Sequence, residues 1–379
     1  MSHESIFRRR PFAWALSLLL PACYSGLTAD ATPDTAGPPG GGDNPASEDW
    51  PEEAFPGAPG TPATLTLVTR KGPVEVAYLH LDNGYGILEG DIVLYGPEDS
   101  GMRSHPAPGG LTSDARPQHG GVTTVLGARW INRQILWEYD PDPMWMPPEG
   151  SDVRTAFEQA MADIMAEVDV TFVAYDPMVH GANPNRISVR SQVGAGCSSY
   201  VGRQTWRPQA LTLGPECTTN GYPGAARHEL SHAIGLYHEQ DRADRDLHVT
   251  VDADNAVEKY AHLFDAPELT DDIGAYNTNS IMHYGSCAFS RCMVKGGDKA
   301  IHCFGVDEDM KAFECRYGQE EDPACAHCDC IDDGGCKFPT ILGPGGTPLK
   351  KQATGLQPSD VAALEYALGC PDGVDGDYC

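Results

Sequence analysis

Apolar residues recur at steps of three and four between residues 151 and 168, and this spacing predicts one amphipathic helix. At about 100° per residue these positions fall on a single face, which predicts a buried stripe. The stripe consists of Val153, Ala156, Phe157, Ala160, Met161, Ile164, Met165 and Val168. We interpret it as core and assign it no chemistry.

Short runs of aliphatic, β-branched and aromatic residues predict strands on both sides of this helix. The runs before it are residues 65–68, 74–79, 92–95 and 135–139, and the runs after it are residues 170–174, 187–189 and 210–213. A second helix is predicted near residue 228. This mixture of strands and helices predicts an α+β fold.

The first residues have the layout of an export signal. Arginines at positions 8–10 precede an apolar stretch at 12–20, which is too short to span a bilayer. We therefore assign residues 1–22 to a signal peptide. The sequence Leu-Pro-Ala-Cys at 20–23 resembles a bacterial lipobox, in which Cys23 is acylated, and an ordinary secretory signal cleaved nearby is the alternative. Both interpretations predict an exported protein, either secreted or an outer-membrane or cell-surface lipoprotein attached to the membrane only through a lipid on Cys23.

Composition separates a polar leader from the globular region. Residues 23–63 are rich in proline and glycine and poor in large apolar side chains, which predicts a flexible tether. Asp and Glu outnumber Lys and Arg by 54 to 26 in the 379 residues, so the net charge is −28. Such a surface repels nucleic acid, and we expect no nucleic-acid partner.

The 13 cysteines are typical of an oxidising compartment. Without Cys23 an even number is left, and an even set can pair completely as disulfides. Eight of them fall at residues 287–336, which predicts a disulfide-stapled insertion. Cys325, His327 and Cys328 would suit a metal ion in a reducing compartment, but export favours disulfides.

Residues 228–240 read HELSHAIGLYHEQ and have the spacing of a metal site. On a helix His228 and His232 lie one turn apart on one face, and a glycine at 235 can end the helix so that the chain returns with His238. Three nitrogen ligands leave a position for water, as at a catalytic zinc ion. Glu229 can accept that water's proton as it attacks a carbonyl group. The pattern predicts one catalytic Zn²⁺ ion and hydrolysis of peptide bonds.

Longer motifs carry a family resemblance. The pattern H-E-x-x-H-x-x-G-x-x-H resembles the metzincins, and its continuation to residue 246 is similar to the H-E-x-x-R-x-D-R-D of the astacin family. Ser-Ile-Met-His-Tyr at 280–284 resembles that family's Met-turn, and residues 197–203 resemble its C-x-S-Y-V-G-R segment. The resemblance covers roughly residues 121–286 and resumes near 356–370. It implies that residues 121–379 form a metzincin-like catalytic domain, with a twisted mixed β-sheet, two main helices and an irregular, disulfide-rich C-terminal half.

The resemblance also implies roles for single residues and a class of substrate, namely proteins or peptides. The three histidines would bind zinc, Glu229 would be the general base, and Met282 would form the apolar floor of the site. Tyr284 would be a resting-state zinc ligand that swings away to donate a hydrogen bond to the oxyanion. Cys197 would pair with Cys217. The strand at 210–213 would be the edge along which an extended substrate lies antiparallel.

A zymogen is implied as well. Leu-Glu-Gly-Asp-Ile at 88–92 resembles the F-x-G-D motif of astacin propeptides, with Leu88 in place of the aromatic residue. Residues 64–120 would be the propeptide, and Asp91 would occupy the open zinc position. An activating protease or autocatalysis would cut near Gly121, within residues 113–125. Glu239 would then form a salt bridge with the new amino terminus.

The chain departs from the family pattern at several points. Cys370 matches a late family cysteine, but Asp169 stands where its partner should be. The insertion at 287–336 has no counterpart, and Arg227 is an unusual charge beside the first histidine. A catalytically inactive binding or adhesion module that uses the insertion is the alternative function, and retention of Glu229 and all three histidines argues against it. A third hypothesis makes the insertion the functional element that binds a matrix or another protein.

Overall fold

A nine-stranded mixed sheet runs through the described part of the chain. Numbered along the chain, its strands are β1 (Gly60–Thr69), β2 (Gly72–Leu81), β3 (Gly86–Leu88), β4 (Ile92–Tyr95), β6 (Gln134–Tyr139), β7 (Thr171–Ala174), β8 (Arg186–Arg190), β9 (Cys197–Ser199) and β10 (Gln209–Leu213). They lie side by side in the order β1-β2-β3-β4-β9-β10-β8-β6-β7. All seven predicted runs fall in these strands. The α+β prediction is confirmed.

The computed structural model describes residues 53–69, 72–97, 122–123, 129–130, 132–205, 207–265, 269–290, 292–295, 300–306, 312–315, 338–351 and 354–369. The signal peptide, Cys23, Cys370 and most of the range predicted for activation lie outside these residues. No helix within them is both long enough and apolar enough to cross a bilayer.

The described residues contain the helices α1 (Asp152–Glu167), the single turn α2 (Pro177–His180), α3 (Gly224–Ile234) and α4 (Pro358–Leu368). Helices α1 and α4 each pack against α3. The Ser151 hydroxyl begins α1 by accepting a hydrogen bond from the Arg154 amide at 3.4 Å. The predicted stripe of α1 is buried, but Met165 is 42% exposed, so its assignment to the core was wrong. Residues of α1, α3 and α4 share one apolar cluster with the sheet.

The strands before residue 97 extend the catalytic sheet. The ten residues of β1 pair antiparallel with β2, and β4 pairs parallel with β9 at Ile92 and Ser199. Strand β10 lies between β8 and β9, so the prediction that 210–213 is an edge was wrong. Within the part of the sheet after residue 121, β9 and β7 are the two edges, and β4 covers β9.

Ordered structure begins inside the segment predicted as a tether. Residues 53–58 lie on the folded domain, and Ala54 is only 2% exposed. Its amide donates to the Gly90 carbonyl at 2.7 Å, and the Phe55 amide donates to the Ala195 carbonyl at 2.8 Å. Strand β1 then starts at Gly60. The prediction of a flexible tether is therefore wrong for residues 53–63.

The remaining strands are short and form three small sheets. They are β5 (Val122–Thr123), β11 (Thr250–Val251), β12 (Thr270–Asp271), β13 (Cys292–Lys295), β14 (Ala300–Val306), β15 (Ala312–Cys315), β16 (Ile341–Gly343) and β17 (Thr347–Pro348). Strands β13, β14 and β15 form an antiparallel sheet inside the predicted insertion, where the sequence had suggested only irregular structure. Strand β5 pairs with β12.

Candidate metal centre

Helix α3 carries two of the predicted zinc ligands and is buried along its whole length. It stops at Gly235, whose φ of 144° is strained for any residue with a Cβ. The amides of Gly235 and Leu236 both donate to the Ser231 carbonyl, at 3.1 and 3.0 Å. This ending turns the chain back under the helix, as the glycine in the motif predicted, and brings His238 to the same place.

The three histidines converge with their Nε2 atoms inward. The Nε2 atom of His228 lies 3.1 Å from that of His232 and 3.3 Å from that of His238. The Nδ1 atoms point outward: His228 faces the Ile281 carbonyl at 2.8 Å, and His232 faces the Leu236 carbonyl at 2.7 Å. A carbonyl only accepts, so Nδ1 carries the proton and Nε2 keeps its lone pair for a metal ion.

Asp91 fills the fourth position of this cluster. Its Oδ2 atom lies 3.2 Å from Nε2 of His228, and its Oδ1 atom lies 3.5 Å from Nε2 of His232 and 3.3 Å from Nε2 of His238. The carboxylate is 1% exposed, and its Oδ1 atom accepts no hydrogen bond from any described residue. The four candidate ligand atoms all lie within 4.8 Å of one another.

These residues fit a zinc ion. Three imidazole nitrogens and one carboxylate oxygen are the donor types that zinc takes in four-coordinate sites. Burial lowers the pKa of His238 to about 3, so this ring is neutral at neutral pH, as a ligand must be. A bound cation would also compensate the buried Asp91 charge, which otherwise costs free energy.

Glu229 lies next to this cluster and is completely buried. Neither of its carboxylate oxygens has a hydrogen-bond partner among the described residues. Burial, helped by the charge of Asp91, raises the pKa of Glu229 well above its usual value, and Lys351 opposes this shift. An unpartnered carboxyl with a raised pKa is suited to exchange protons with a reacting group.

Tyr284 lies beside the third histidine. Its hydroxyl donates a hydrogen bond to the backbone carbonyl of Glu89, and its ring lies 4.4 Å, centroid to centroid, from the ring of His238. Its role as a zinc ligand stays a prediction. The turn at residues 89–91 supplies both the Asp91 carboxylate and the carbonyl that Tyr284 contacts.

The Met-turn lies next to the histidine cluster, because the Ile281 carbonyl contacts Nδ1 of His228. Met282 is 2% exposed, and its carbonyl accepts from the Glu239 amide at 3.0 Å. Asp360, on α4, accepts from the Ser280 hydroxyl at 2.5 Å and from the Ile281 amide at 3.2 Å. The sequence motifs did not identify Asp360. It is the third residue of a helix that begins with a proline, and this position signals only the start of a helix.

Glu239 has local partners in this structure. Its Oε1 atom accepts from the Asn277 amide at 2.8 Å and from Arg242 Nη1 at 3.3 Å. Burial raises the pKa of Glu239 to about 7, while Arg242 opposes the shift. The amino terminus predicted as its partner does not exist in the uncut chain.

A second buried acid cluster was missed by the sequence analysis. Glu89 Oε2 lies 3.0 Å from Nδ1 of His238, and Asp241 Oδ2 lies 3.8 Å from the same atom. Burial, together with the neighbouring carboxylate charges, raises the pKa of Glu89 well above its usual value, and burial raises that of Asp241 to about 7. Glu89 has a φ of 52°, the left-handed conformation that a tight turn imposes.

Two further predicted features lie close to the centre. Cys197 and Cys217 are joined by a disulfide, which ties β9 to the segment before α3. Arg227 is buried and donates to Asp163 Oδ2 and to the Thr354 carbonyl, both at 3.1 Å. Its charge is therefore used to hold α3 against α1 and the segment that leads to α4.

Comparisons with known proteins agree with this geometry. The family model for astacin, which describes a peptidase family, matches residues 123–299. Protein SpAN of Strongylocentrotus purpuratus is 30% identical over 193 residues, which are 42% of this chain and 30% of SpAN. Bone morphogenetic protein 1 of Xenopus laevis is 31% identical over 201 residues, 49% of this chain and 27% of that protein. Zinc metalloproteinase dpy-31 of Caenorhabditis elegans is 33% identical over 299 residues, 77% of this chain and 44% of that protein.

Two solved structures are similar to parts of the chain. High choriolytic enzyme 1, a hatching enzyme zinc-protease from Oryzias latipes, has a TM-score of 0.43 at 24% identity and covers 64% of this chain and 93% of its own. Myroilysin has a TM-score of 0.38 at 18% identity and covers 64% of this chain and 96% of its own.

The chain spans about a third or less of the length of SpAN and bone morphogenetic protein 1. Astacin-family proteases use one catalytic zinc ion, and the buried histidine cluster meets that requirement, so the cofactor prediction is confirmed. Residues 123–299 match the astacin family model, so this segment is an astacin peptidase-family domain.

Proposed function

We propose that this chain is a zinc-dependent endopeptidase that hydrolyses peptide bonds of protein or peptide substrates and is made as a latent zymogen. The observation that carries the proposal is the unpartnered, buried Glu229 beside three convergent histidine nitrogens, with Asp91 in the fourth position. An inactive binding module is not favoured, because such a module has no need for a buried carboxyl with no hydrogen-bond partner.

His228, His232 and His238 hold the zinc ion in this proposal. A zinc ion so held lowers the pKa of a water molecule and polarises a carbonyl group. Glu229 takes the proton from the attacking water and passes it to the leaving amine. Burial raises the pKa of Glu229 above its usual value, which favours its accepting and releasing a proton. The Tyr284 hydroxyl, once released from the Glu89 carbonyl, donates a hydrogen bond to the developing oxyanion.

Latency follows from the groups that the propeptide turn engages. Asp91 occupies the position that water needs, and the Glu89 carbonyl holds the Tyr284 hydroxyl. Strand β4 lies on β9, the edge that a substrate strand would use. Strand β4 runs parallel to β9, whereas a substrate is expected to run antiparallel to it. The propeptide therefore covers this edge in the opposite chain direction to a substrate, so it is not placed for cleavage.

Activation in this proposal removes residues 64–120 by a cut within 113–125, made by another protease or by the enzyme itself. The new amino terminus then pairs with Glu239. With a signal peptide at 1–22 and a lipid on Cys23, the same cut would release the enzyme from its anchor. Active enzyme that still carried residues 23–110 would rule this release out.

The test is to express residues 24–379, identify the processed amino terminus by mass spectrometry and measure cleavage of casein. Glu229→Gln should lower the rate of the activated enzyme by about 100- to 10,000-fold, since it removes the proton acceptor. Its zinc content should not change, because Glu229 is not a ligand. Glu158→Gln, on α1 outside the cleft, is the matched control and should keep full activity. Persistent cleavage by Glu229→Gln would refute the mechanism.

A further inference from the structure

The three histidines differ in what holds their outer nitrogen. His228 and His232 face backbone carbonyls of the catalytic domain, at Ile281 and Leu236. His238 faces a side chain of the propeptide, Glu89, at 3.0 Å. When the propeptide leaves, the first two keep their partners and His238 loses its own.

A second carboxylate is already present beside that nitrogen. Asp241 Oδ2 lies 3.8 Å from Nδ1 of His238, and candidate ligand atoms of Glu89, His238 and Asp241 lie within 4.8 Å of one another. All three side chains are buried. One oxygen of each carboxylate, Glu89 Oε1 and Asp241 Oδ1, has no hydrogen-bond partner among the described residues. The two carboxylates therefore compete for one N–H group.

Asp241 stays with His238 when the propeptide is removed. The two residues belong to the same short turn, and the Asp241 amide donates to the His238 carbonyl at 3.2 Å. Its carboxyl group is also hydrogen-bonded to that of Glu89, a contact that is lost with the propeptide. Its remaining side-chain contacts are longer than a strong hydrogen bond: Gln240 Nε2 at 3.4 Å and Arg245 Nη1 at 3.9 Å. A movement of roughly 1 Å would bring Asp241 Oδ2 to the usual hydrogen-bond distance from Nδ1.

We propose that Asp241 is the positioning residue for His238 in the active enzyme, and that Glu89 holds its place in the latent chain. This inference rests on the proposed function, because it assigns a partner to one of the zinc ligands. A carboxylate on Nδ1 fixes the tautomer that presents Nε2 to the metal and makes the ring a better ligand. The propeptide turn thus places Asp91 at the metal position and Glu89 against Nδ1 of His238.

The test measures zinc release to a chromogenic chelator, before and after activation of the full chain. In the activated enzyme Asp241→Asn should release zinc about 10- to 100-fold faster, the usual effect of losing such an outer partner. Asp241→Glu should release zinc at a rate near that of the wild type, because it keeps a carboxylate within reach of Nδ1 of His238. Asp244→Asn, which removes a charge from the Arg242 pair nearby, is the matched control and should release zinc like the wild type.

The latent chain gives an independent arm. Glu89→Ala should change zinc release by less than about 3-fold, since Asp241 then takes the nitrogen, whereas Glu89→Ala with Asp241→Asn should reach the full 10- to 100-fold. The inference would be overturned if Glu89→Ala alone released zinc about 10- to 100-fold faster. It would also be overturned if activated Asp241→Asn released zinc at the wild-type rate. If the wild-type enzyme binds zinc and cleaves casein, either of these results leaves the proposed function intact. A wild-type chain that binds no zinc would refute both.

Discussion

One buried carboxylate on the last helix, Asp360, connects the floor of the metal centre to the end of the domain. It accepts from Ser280 and Ile281 in the Met-turn and from the Gln357 amide at the start of its own helix, at 2.5, 3.2 and 2.8 Å. It is 3% exposed. Without it, two backbone amides and a hydroxyl would be buried with no acceptor, and such groups are costly.

Asp360→Ala should therefore lower the free energy of unfolding by about 1–3 kcal/mol, the cost of leaving buried donors unsatisfied. Urea unfolding of the zymogen measures it. Asp254→Ala, at an exposed aspartate, is the control and should stay within about 0.5 kcal/mol of the wild type. Equal stability of the two variants would show that the Met-turn does not depend on Asp360.

Sequence spacing could predict the three histidines because helix geometry is local. Two ligands four residues apart must share a face, and Gly235 must allow the turn that follows. Asp360 and Glu89 could not be predicted in this way, since their partners lie 80 and 149 residues away along the chain. Nothing in the local pattern distinguishes such carboxylates from solvated surface charges.

At the scale of elements, Arg133 holds β6, the approach to β7 and the end of α4 together. Its guanidinium donates to Glu365 Oε2 at 2.5 Å, to the Gly369 carbonyl at 2.6 Å and to the Asp169 carbonyl at 2.9 Å. The Asp169 amide in turn donates to Glu365 Oε1 at 2.6 Å. Asp169 is the position where the family resemblance called for a cysteine, so polar contacts link the same elements here.

Arg133→Met should lower the free energy of unfolding by about 1–3 kcal/mol, because Glu365 and the Gly369 carbonyl lose a charged donor. Thermal and urea unfolding both report the change. Lys350→Met removes an exposed cation of similar length and should have an effect near zero. The prediction fails if Arg133→Met unfolds at the same temperature and urea concentration as this control.

The pattern of apolar positions predicted most elements but not how they join. Period-two runs found the strands, and the helical stripe found α1, because both are local repeats. Pairing depends on distant segments, so the sequence did not reveal that β4 would add to β9 or that β10 would be interior. The small sheet within residues 287–336 was also missed, since the apolar residues of this cysteine-rich segment show no regular periodicity.

At the scale of the whole molecule, the segment before residue 97 contacts the rest of the domain at the Asp91 turn, along β4 and through a clasp formed by residues 53–55. The clasp reaches the turn through the Ala54 amide and Gly90 carbonyl, and the catalytic domain through Phe55 and Ala195. Glu53 accepts from the Tyr260 hydroxyl and lies 3.6 Å from Lys259 Nζ. These contacts tie the turn to residues after 121 through Ala195, Lys259 and Tyr260.

Ala54→Arg should weaken this clasp, because a long charged side chain cannot enter a site where alanine is 2% exposed. The uncut chain should then show raised casein cleavage, although less than the fully processed enzyme. Thr61→Arg, at an exposed position of β1, should leave the uncut chain latent. Latency in Ala54→Arg equal to that of the control would show that the clasp plays no part in inhibition.

The most direct test of the account is the rate of casein cleavage by the uncut, zinc-loaded chain with Asp91→Ala. Among the described carboxylates only Asp91 reaches all three histidine Nε2 atoms, so its removal should open the water position and give activity without any cut. The wild type and the exposed-site control Asp82→Ala should stay latent. Adding Glu229→Gln to Asp91→Ala should abolish that activity. An inert Asp91→Ala chain, when the processed wild type cleaves casein, would contradict the latch, and activity that survives Glu229→Gln would contradict the catalytic role.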